Sequence, residues 1–393
     1  MTRAAPLRVG IVAGESSGDQ LGAALIAALR ERVPELQCFG VAGPKMTAAG
    51  CEAWAGAEEL AVMGLTEVVS HLPRLLRLRA SLTKRFLKAR PDVFVGIDAP
   101  EFNLGLARRL HAGGLTTVQY VSPQVWAWRQ GRVRKIGRAV DLVLCLLPFE
   151  TAFYARHNVA AVFVGHPLAD QIPREVDREA ARAALGLEPS ATVIALLPGS
   201  RVGEVERLGA DFLRGAAWLH ERRPELKFIA PMATSRAREA FARKQAQVSA
   251  ATPILLVDGR AQQALAACDA AIVASGTATL ETLLSRRPMV VAYRFGALTA
   301  FLLRRLRLVK VPYFSQPNLL VGRPLVPELL QEQVSGAALG EALLARLFDR
   351  EYLREIDEAF RRVHENLRGG AAARAAEAIL ALLRERGAQG RPA

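Results

Sequence analysis

Cysteine is scarce in this chain of 393 residues. Cys38, Cys51, Cys145 and Cys268 lie far apart and form no Cys-x-x-Cys pair, which argues against a disulfide framework or a thiolate zinc site and suits a reducing compartment. Six histidines, His71, His111, His157, His166, His220 and His364, include no His-x-x-x-His pair, so no metal site is expected. Gly-x-Gly and Gly-Lys-Ser/Thr do not occur, which argues against a dinucleotide fingerprint and a P-loop. Long apolar runs are missing too. No stretch approaches the roughly 18 uncharged residues of a spanning helix, and the nearest, Met289 to Leu303, is interrupted by Arg294. The opening MTRAAPLRVGIVAGESSGD meets Glu15 after too short an apolar run for a secretory leader, so none is expected. Acidic residues are in deficit as well: 38 against 52 Lys and Arg, a net charge of +14. Such a surplus implies an anionic partner, whether nucleic acid, phosphorylated small molecules or an acidic membrane surface.

What is present is the composition of a folded α/β protein, with 51% hydrophobic residues and 23% charged. Short β-branched runs alternate with helical segments throughout, the pattern of repeated βα units around parallel sheets. Strands are expected at Leu7 to Ala13, Leu36 to Val41, Asp92 to Ile97, Thr117 to Val121, Leu142 to Leu147 and Ala161 to Val164. A second series runs through Thr192 to Leu197, Lys227 to Ala230, Ile254 to Val257, Ala271 to Ala274 and Met289 to Ala292. Between the series, GHPLADQIPREVDREA has two prolines and dense charge, and is taken as a linker between two doubly wound, Rossmann-like domains, residues 1–170 and 171–345. After Pro327 the pattern is helical to the end, a tail able to pack on either domain.

Open parallel sheets bind ligands at the C-terminal ends of their strands, so the loops there carry the functional signal. The first is Gly14-Glu15-Ser16-Ser17-Gly18-Asp19, where hydroxyls and helix N–H groups offer donors to an anionic or polyhydroxy ligand. Ser16 or Ser17 as a simple N-cap is the plainer explanation, but Glu15 has little structural reason to stand there. In PDVFVGIDAPEFN a buried strand ends in Asp98, either a helix cap or a carboxylate placed to take a proton from a substrate hydroxyl. In YVSPQVWAWRQGRVRKIGR, Trp126 and Trp128 precede Arg129, Arg132, Arg134 and Lys135, a combination that suits packing, a sugar ring or a bilayer interface. ALLPGSRVGEVE sets Gly199, Ser200 and Arg201 before a helix, as a phosphate loop would. AIVASGTATLE sets Ser275, Gly276 and Thr277 at a helix start, one turn before Glu281, whose carboxylate suits two ribose hydroxyls. The two loops together suggest a nucleoside diphosphate. His166, in the turn between the domains, is expected to be a hinge or hydrogen-bonding residue.

Two basic segments carry apolar stripes at helical spacing. From Leu65 to Leu87 the stripe includes Val68, Val69, Leu72, Leu75 and Leu76, with Arg74, Arg77 and Arg79 interleaved. The other is Ala297 to Phe314. A core stripe explains most single segments of this kind; two of them in a +14 chain favour a membrane-facing role.

AGESSGD, MGLTEV, IDAPEFN, YVSPQVWAWR, FVGHPL, LLPGSR, SGTATLE and PNLLVGRPLVPELLQ, in that order from about Leu7 to Gln331, resemble the lipid-A-disaccharide synthase family. The resemblance implies a two-domain GT-B glycosyltransferase, normally metal-independent and without cofactor. It implies an enzyme joining UDP-2,3-diacylglucosamine to 2,3-diacylglucosamine 1-phosphate at the cytoplasmic face of the inner membrane. It further implies that the C-terminal helices, about 346–393, return to the first domain. Asp98 is then the candidate base, with Glu15 as the alternative base or an acceptor-positioning group beside Ser16, Ser17 and Asp19. Gly199, Ser200, Arg201, Ser275, Gly276 and Thr277 would hold the diphosphate and Glu281 the ribose. Asn318 is carried over as a donor-site residue. The competing enzyme readings are a peptidoglycan N-acetylglucosaminyltransferase type and a UDP-N-acetylglucosamine epimerase, and the latter needs no membrane segments. Nucleic-acid binding is disfavoured, because the basic residues flank apolar stripes rather than aromatic platforms.

Overall fold

The computed structural model describes residues 6–60, 65–128, 130–248, 251–296 and 313–388, excepting the side chains of 65–71, 127 and 128. It divides into two compact units, Met1–Asp170 with Leu367–Ala393, and Gln171–Asn366.

In the first unit seven strands form one sheet: β1 (Leu7–Ala13), β2 (Leu36–Ala42), β3 (Cys51–Gly56), β4 (Val93–Ile97), β5 (Thr116–Tyr120), β6 (Leu142–Cys145) and β7 (Ala161–Phe163). Their order is β3-β2-β1-β4-β5-β6-β7, all parallel. The central runs are apolar on both faces because helices cover both; β4 and β5 are buried at every residue. The second unit holds β8 (Val193–Leu197), β9 (Lys227–Met232), β10 (Ile254–Asp258), β11 (Ala270–Ala274), β12 (Met289–Tyr293) and β13 (Glu328–Leu330). These six are ordered β10-β9-β8-β11-β12-β13, again all parallel. Each sheet grows outward in one direction and then the other, reversing between β1 and β4 and between β8 and β11. Such reversals open a crevice at the carboxyl ends of the two central strands.

Two strands escape the sequence pattern. β3 is an alanine-rich edge strand, fixed by Trp54 stacking on Phe39 at 4.8 Å between ring centroids. β13 interrupts the region expected to be helical beyond Pro327: Glu-Leu-Leu favours helix locally, but pairing of Leu329 and Leu330 with Ala292 and Tyr293 prevails.

The helical tail also departs from expectation. Residues 346–366 belong to the second unit and only 367–393 to the first. The helix Arg350–Leu367 is tied to the second unit by Arg286–Asp357 at 3.4 Å and Arg323–Glu355 at 2.6 Å. The helix Ala371–Ala388 buries Ala375, Ala376 and Ile379 in the core of the first. Its N-terminus is capped by Asp170, which accepts from the N–H groups of Gly369, Gly370 and Ala371 at 2.8–3.0 Å.

The basic segment expected to face a membrane forms the helix Leu65–Ala89. Its stripe divides. Leu82 and Phe86 are core residues, whereas Leu72 and Leu76 are 47% and 43% exposed. Arg74 and Arg77 are exposed and Leu75 half-buried. The Val68 and Val69 side chains, and residues 297–312 of the other segment, lie outside the described residues. Among the described residues no helix is long and apolar enough to cross a membrane.

Candidate active site

Both strand-order reversals carry the loops singled out by sequence. In the first unit Ala13 pairs with Ile97, so the loops after β1 and β4 emerge side by side. They touch: a Cβ on Gly14 would lie 2.6 Å from that of Ala99, an approach only glycine permits. Glu15, Ser16 and Ser17 are exposed at the start of the helix Ser16–Arg32, and Glu15 makes no capping bond there. Asp19 does not join them. It is buried, and its carboxylate accepts from the N–H groups of Gly43, Lys45 and Met46 at 2.9–3.0 Å. Those bonds hold the next helix, Pro44–Ala48, so Asp19 is structural.

Asp98 does not cap the helix Pro100–Ala112; Ala99 stands at the N-cap and no side chain caps it. Instead Asp98 (φ 51°) and Ala99 (φ 39°) are consecutive left-handed residues that are not glycine. Each such residue costs about 1–3 kcal/mol and persists only where surroundings enforce it. The Asp98 N–H donates to the Tyr120 carbonyl at 2.9 Å. Its own carbonyl accepts from Asn103 Nδ2 at 2.9 Å and Gln119 Nε2 at 3.2 Å. Burial pushes the Asp98 carboxyl above the usual carboxylate range, and the Ala99 N–H pulls it partly back. A partly buried carboxyl with a raised pKa is suited to accepting a proton near neutrality.

The loop after β5 is strained as well, with Val121 at φ 76°, a rare conformation for a β-branched residue. It is anchored by a residue that sequence reasoning missed. Glu150, buried, accepts from the Trp126 indole N–H at 3.1 Å and the Leu147 N–H at 3.0 Å. Burial pushes its carboxyl up to about 7. Beside it the Ser122 and Tyr154 hydroxyls lie 3.1 Å apart. Trp126 is thus a packing residue, set edge-on against Phe149. His166 accepts the Leu168 N–H on Nδ1 at 3.2 Å, and burial pushes its pKa down to about 4, so it is neutral.

In the second unit Leu197 pairs with Val273, so the loops after β8 and β11 emerge together. Gly199 (φ 126°) makes the turn before the helix Val202–Arg222. The N–H groups of Ser200 and Arg201, expected to cradle phosphate, are occupied by Glu204 Oε2 at 3.0 and 3.3 Å. The side chains of Ser200 and Arg201 stay exposed, leaving the guanidinium and the hydroxyl as this loop's free groups. Across the strand ends, burial raises the Tyr293 phenol, and the Arg207 and Arg201 guanidinia oppose the push of Glu204. After β11, Gly276 and Thr277 are exposed at the start of the helix Thr277–Leu284. The Ser275 hydroxyl is committed to the Phe314 carbonyl at 3.2 Å. Glu281, one turn along, is half-buried, and burial pushes its carboxyl up.

Asn318 is 1% exposed and its amide is fully used. Oδ1 accepts from the Leu325 and Val326 N–H groups, and Nδ2 donates to the Val326 carbonyl and to Glu328, all at 2.9 Å. Glu328 also accepts from the N–H groups of Phe314 and Ser315 at 3.0 Å and from the Ser315 hydroxyl. Asn318 therefore shapes the loop beside Ser275 and has no free polar group for a ligand. Glu328 had no signal in the sequence beyond a helix-forming context. Among the described residues no three His, Cys, Asp or Glu side chains are grouped to hold a metal ion.

The family model for lipid-A-disaccharide synthetase matches residues 9–382. The chain belongs to the lipid-A-disaccharide synthase family. A lipid-A-disaccharide synthase of Escherichia coli (strain SE11) is 52% identical over 382 residues, 97% of this chain and 100% of that one. One of Yersinia pseudotuberculosis is 52% identical over 377 residues, covering 96% and 95%. Among solved structures, a putative UDP-N-acetylglucosamine 2-epimerase from Listeria monocytogenes superposes with a TM-score of 0.64 at 13% identity, covering 99% of both chains. The calicheamicin glycosyltransferase CalG4 gives 0.58 at 17%, covering 96% and 98%. These distant likenesses establish the fold, that of GT-B glycosyltransferases and sugar-nucleotide epimerases. Family membership at 52% identity over nearly the whole chain favours the synthase over the epimerase.

Proposed function

We infer that this chain transfers 2,3-diacylglucosamine from UDP to the 6-hydroxyl of 2,3-diacylglucosamine 1-phosphate, forming the β-1′,6-linked disaccharide phosphate of lipid A biosynthesis and releasing UDP. The full-length family match carries the reading. As the acceptor oxygen attacks the anomeric carbon from the face opposite the nucleotide, its proton passes to the Asp98 carboxylate. The bond from that carbon to the diphosphate breaks, and its electron pair leaves with UDP. Glu15, Ser16 and Ser17, exposed beside Asp98, orient the acceptor. Arg201 neutralises the charge growing on the diphosphate, with Ser200 and Thr277 as further donors, and Glu281 accepts from the ribose. Charge neutralisation by Arg201 needs no metal ion.

Exposed Leu72 and Leu76 with Arg74 and Arg77 support peripheral attachment to an anionic bilayer, the cytoplasmic face of the inner membrane, where both lipid substrates are reached. Purified enzyme, supplied with the UDP-sugar and lipid acceptor in mixed micelles without divalent metal, should yield equimolar UDP and β-linked disaccharide. No disaccharide, or an α-linked product, overturns the reading.

A further inference from the structure

We propose that Asn103 and Gln119 are positioning residues: two buried carboxamides that hold the Asp98–Ala99 backbone left-handed and so aim the Asp98 carboxyl. The proposal rests on Asp98 being the proton acceptor. Both side chains are wholly buried, where a polar amide is retained only against a desolvation cost. Asn103 Nδ2 lies within hydrogen-bond distance of three carbonyls, those of Val12 (3.3 Å), Ile97 (3.1 Å) and Asp98 (2.9 Å). These are the carboxyl ends of β1 and β4. Gln119 Nε2 faces three more, Asp98 (3.2 Å), Tyr120 (3.4 Å) and Val121 (3.3 Å). The two amides therefore meet at one oxygen, that of Asp98. Together they bracket every strained residue at this edge: Asp98, Ala99 and Val121.

The amide oxygens fit no stabilising purpose. Asn103 Oδ1 and Gln119 Oε1 are buried without a protein partner, so each residue leaves an acceptor unsatisfied in order to present its N–H groups. Reversing either amide would set its oxygen against three carbonyls. Room for the pair is made by Gly96, where a Cβ would come within 2.9 Å of the Asn103 Cβ and 3.3 Å of Gln119 Oε1. A pure core would fill this volume with apolar side chains, and a relaxed turn would place glycine at 98. The residue that must be kept is one with a carboxyl, and glycine has none.

Asn103→Ala and the near-isosteric Gln119→Leu are to be compared with wild type, each alone and combined with Ala99→Gly, in the micelle assay across pH. Misplacement of a catalytic group by about 1 Å costs on the order of 100-fold, so kcat should fall by about that factor while KM for the UDP-sugar is unchanged. The acid limb of kcat should move to lower pH as the carboxyl swings out of its buried position. Ala99→Gly, which adopts the left-handed turn without strain, should restore part of the lost kcat. A folded Asn103→Ala or Gln119→Leu enzyme with wild-type kcat overturns the proposal. So does a loss of kcat that Ala99→Gly leaves unchanged, with an unmoved acid limb, while Asp98→Asn is inactive. If Asp98→Asn itself turns over normally, the base assignment fails and the positioning role goes with it.

Discussion

The two units solve the same topological problem with different residues. Each is a parallel sheet that reverses its strand order once, and each presents two loops at that reversal. In the first unit the turn after β4 is made by Asp98 and Ala99, in a conformation that costs both of them. In the second the turn after β8 is made by Gly199, at no such cost. Where the backbone merely has to turn so that a neighbouring Arg201 is exposed, glycine serves. Under the proposed function the turning residue of the first unit must itself carry the titrating group, so a side chain takes up a glycine conformation there, beside the buried amides of Asn103 and Gln119. Left-handed residues that are not glycine also occur elsewhere, at Arg90, Asn158, Arg260, Arg286 and Gln331, so strain alone does not mark a site; under the proposed function it coincides with proton transfer only at the end of β4.

The sharpest way to break that contrast is to remove one group from each side. Asp98→Asn should lower kcat by about 10²–10⁴ and abolish its acid limb, because that limb reports deprotonation of the lost carboxyl. Arg201→Ala should lower kcat/KM by about 10²–10³ and leave the acid limb in place. Steady-state kinetics from pH 5 to 9 distinguish them. An acid limb that survives Asp98→Asn moves the base to Glu15 and ends the correspondence between strain and proton transfer.

These loops were legible in sequence because parallel strands buried on both faces are short apolar runs, and each run stops abruptly at Gly, Ser, Glu, Asp or Arg. Eleven of the strands follow from that signal alone. The roles of Asp19, Asn318, Glu150 and Glu328 do not, because their partners lie elsewhere in the chain. Asp19 bonds to residues 24–27 positions away, and Trp126 meets Glu150 across 24. A side chain that caps a distant loop has the same local context as one that faces a ligand. The loop pattern therefore placed Asp19, and the family resemblance Asn318, among ligand-facing residues, whereas Asp19 is held by backbone N–H groups and Asn318 by backbone groups and the Glu328 carboxylate.

Asn318 gives the next test. Asn318→Ala leaves the Leu325 and Val326 N–H groups unpaired beside the half-buried Glu328, a loss of about 3 kcal/mol at roughly 1–3 per orphaned group. Urea unfolding should show it, with faster amide exchange at Leu325 and Val326 and unchanged exchange in β1 and β4. Loss of UDP affinity without any loss of stability would instead make Asn318 a direct ligand.

Within the first unit, Glu150 and His166 oppose each other. Glu150 titrates near 7 when folded against an ordinary 4.5, so the folded state holds the extra proton and stability falls as pH rises from about 4.5 to 7. The full effect is about 3 kcal/mol. His166 titrates near 4 against 6.5, so the unfolded state holds the extra proton and stability rises from about 4 to 6.5. Their contributions cancel over most of that range in the wild type. Glu150→Gln should unmask the rise, seen as a melting temperature that climbs with pH between 4.5 and 6.5. A variant whose profile merely parallels the wild type would show that Glu150 is ionised in the folded protein.

The smallest effect separates the units by what they touch. The helix Leu65–Ala89 buries Leu82 and Phe86 in the first unit but leaves Leu72 and Leu76 exposed one turn apart, with Arg74 and Arg77 beside them. Arg79 belongs to neither half, since it packs over Gly105, where a Cβ would meet its guanidinium at 2.3 Å. Each cation near an anionic bilayer contributes about 1 kcal/mol, so Arg74→Gln with Arg77→Gln should weaken partitioning into phosphatidylglycerol-containing vesicles by about 30-fold, equivalent to about 2 kcal/mol. Arg236→Gln with Arg243→Gln, exposed on the second unit, removes the same charge from the whole chain and should change partitioning less than about twofold if the bilayer contact is local to the Leu65–Ala89 helix, because a charge outside the contact is screened by salt. Co-sedimentation at 0.1 M salt measures both. Equal losses from the two pairs would mean that the +14 acts as a diffuse field. A loss confined to Arg74 and Arg77 assigns the bilayer contact to the exposed half of one helix.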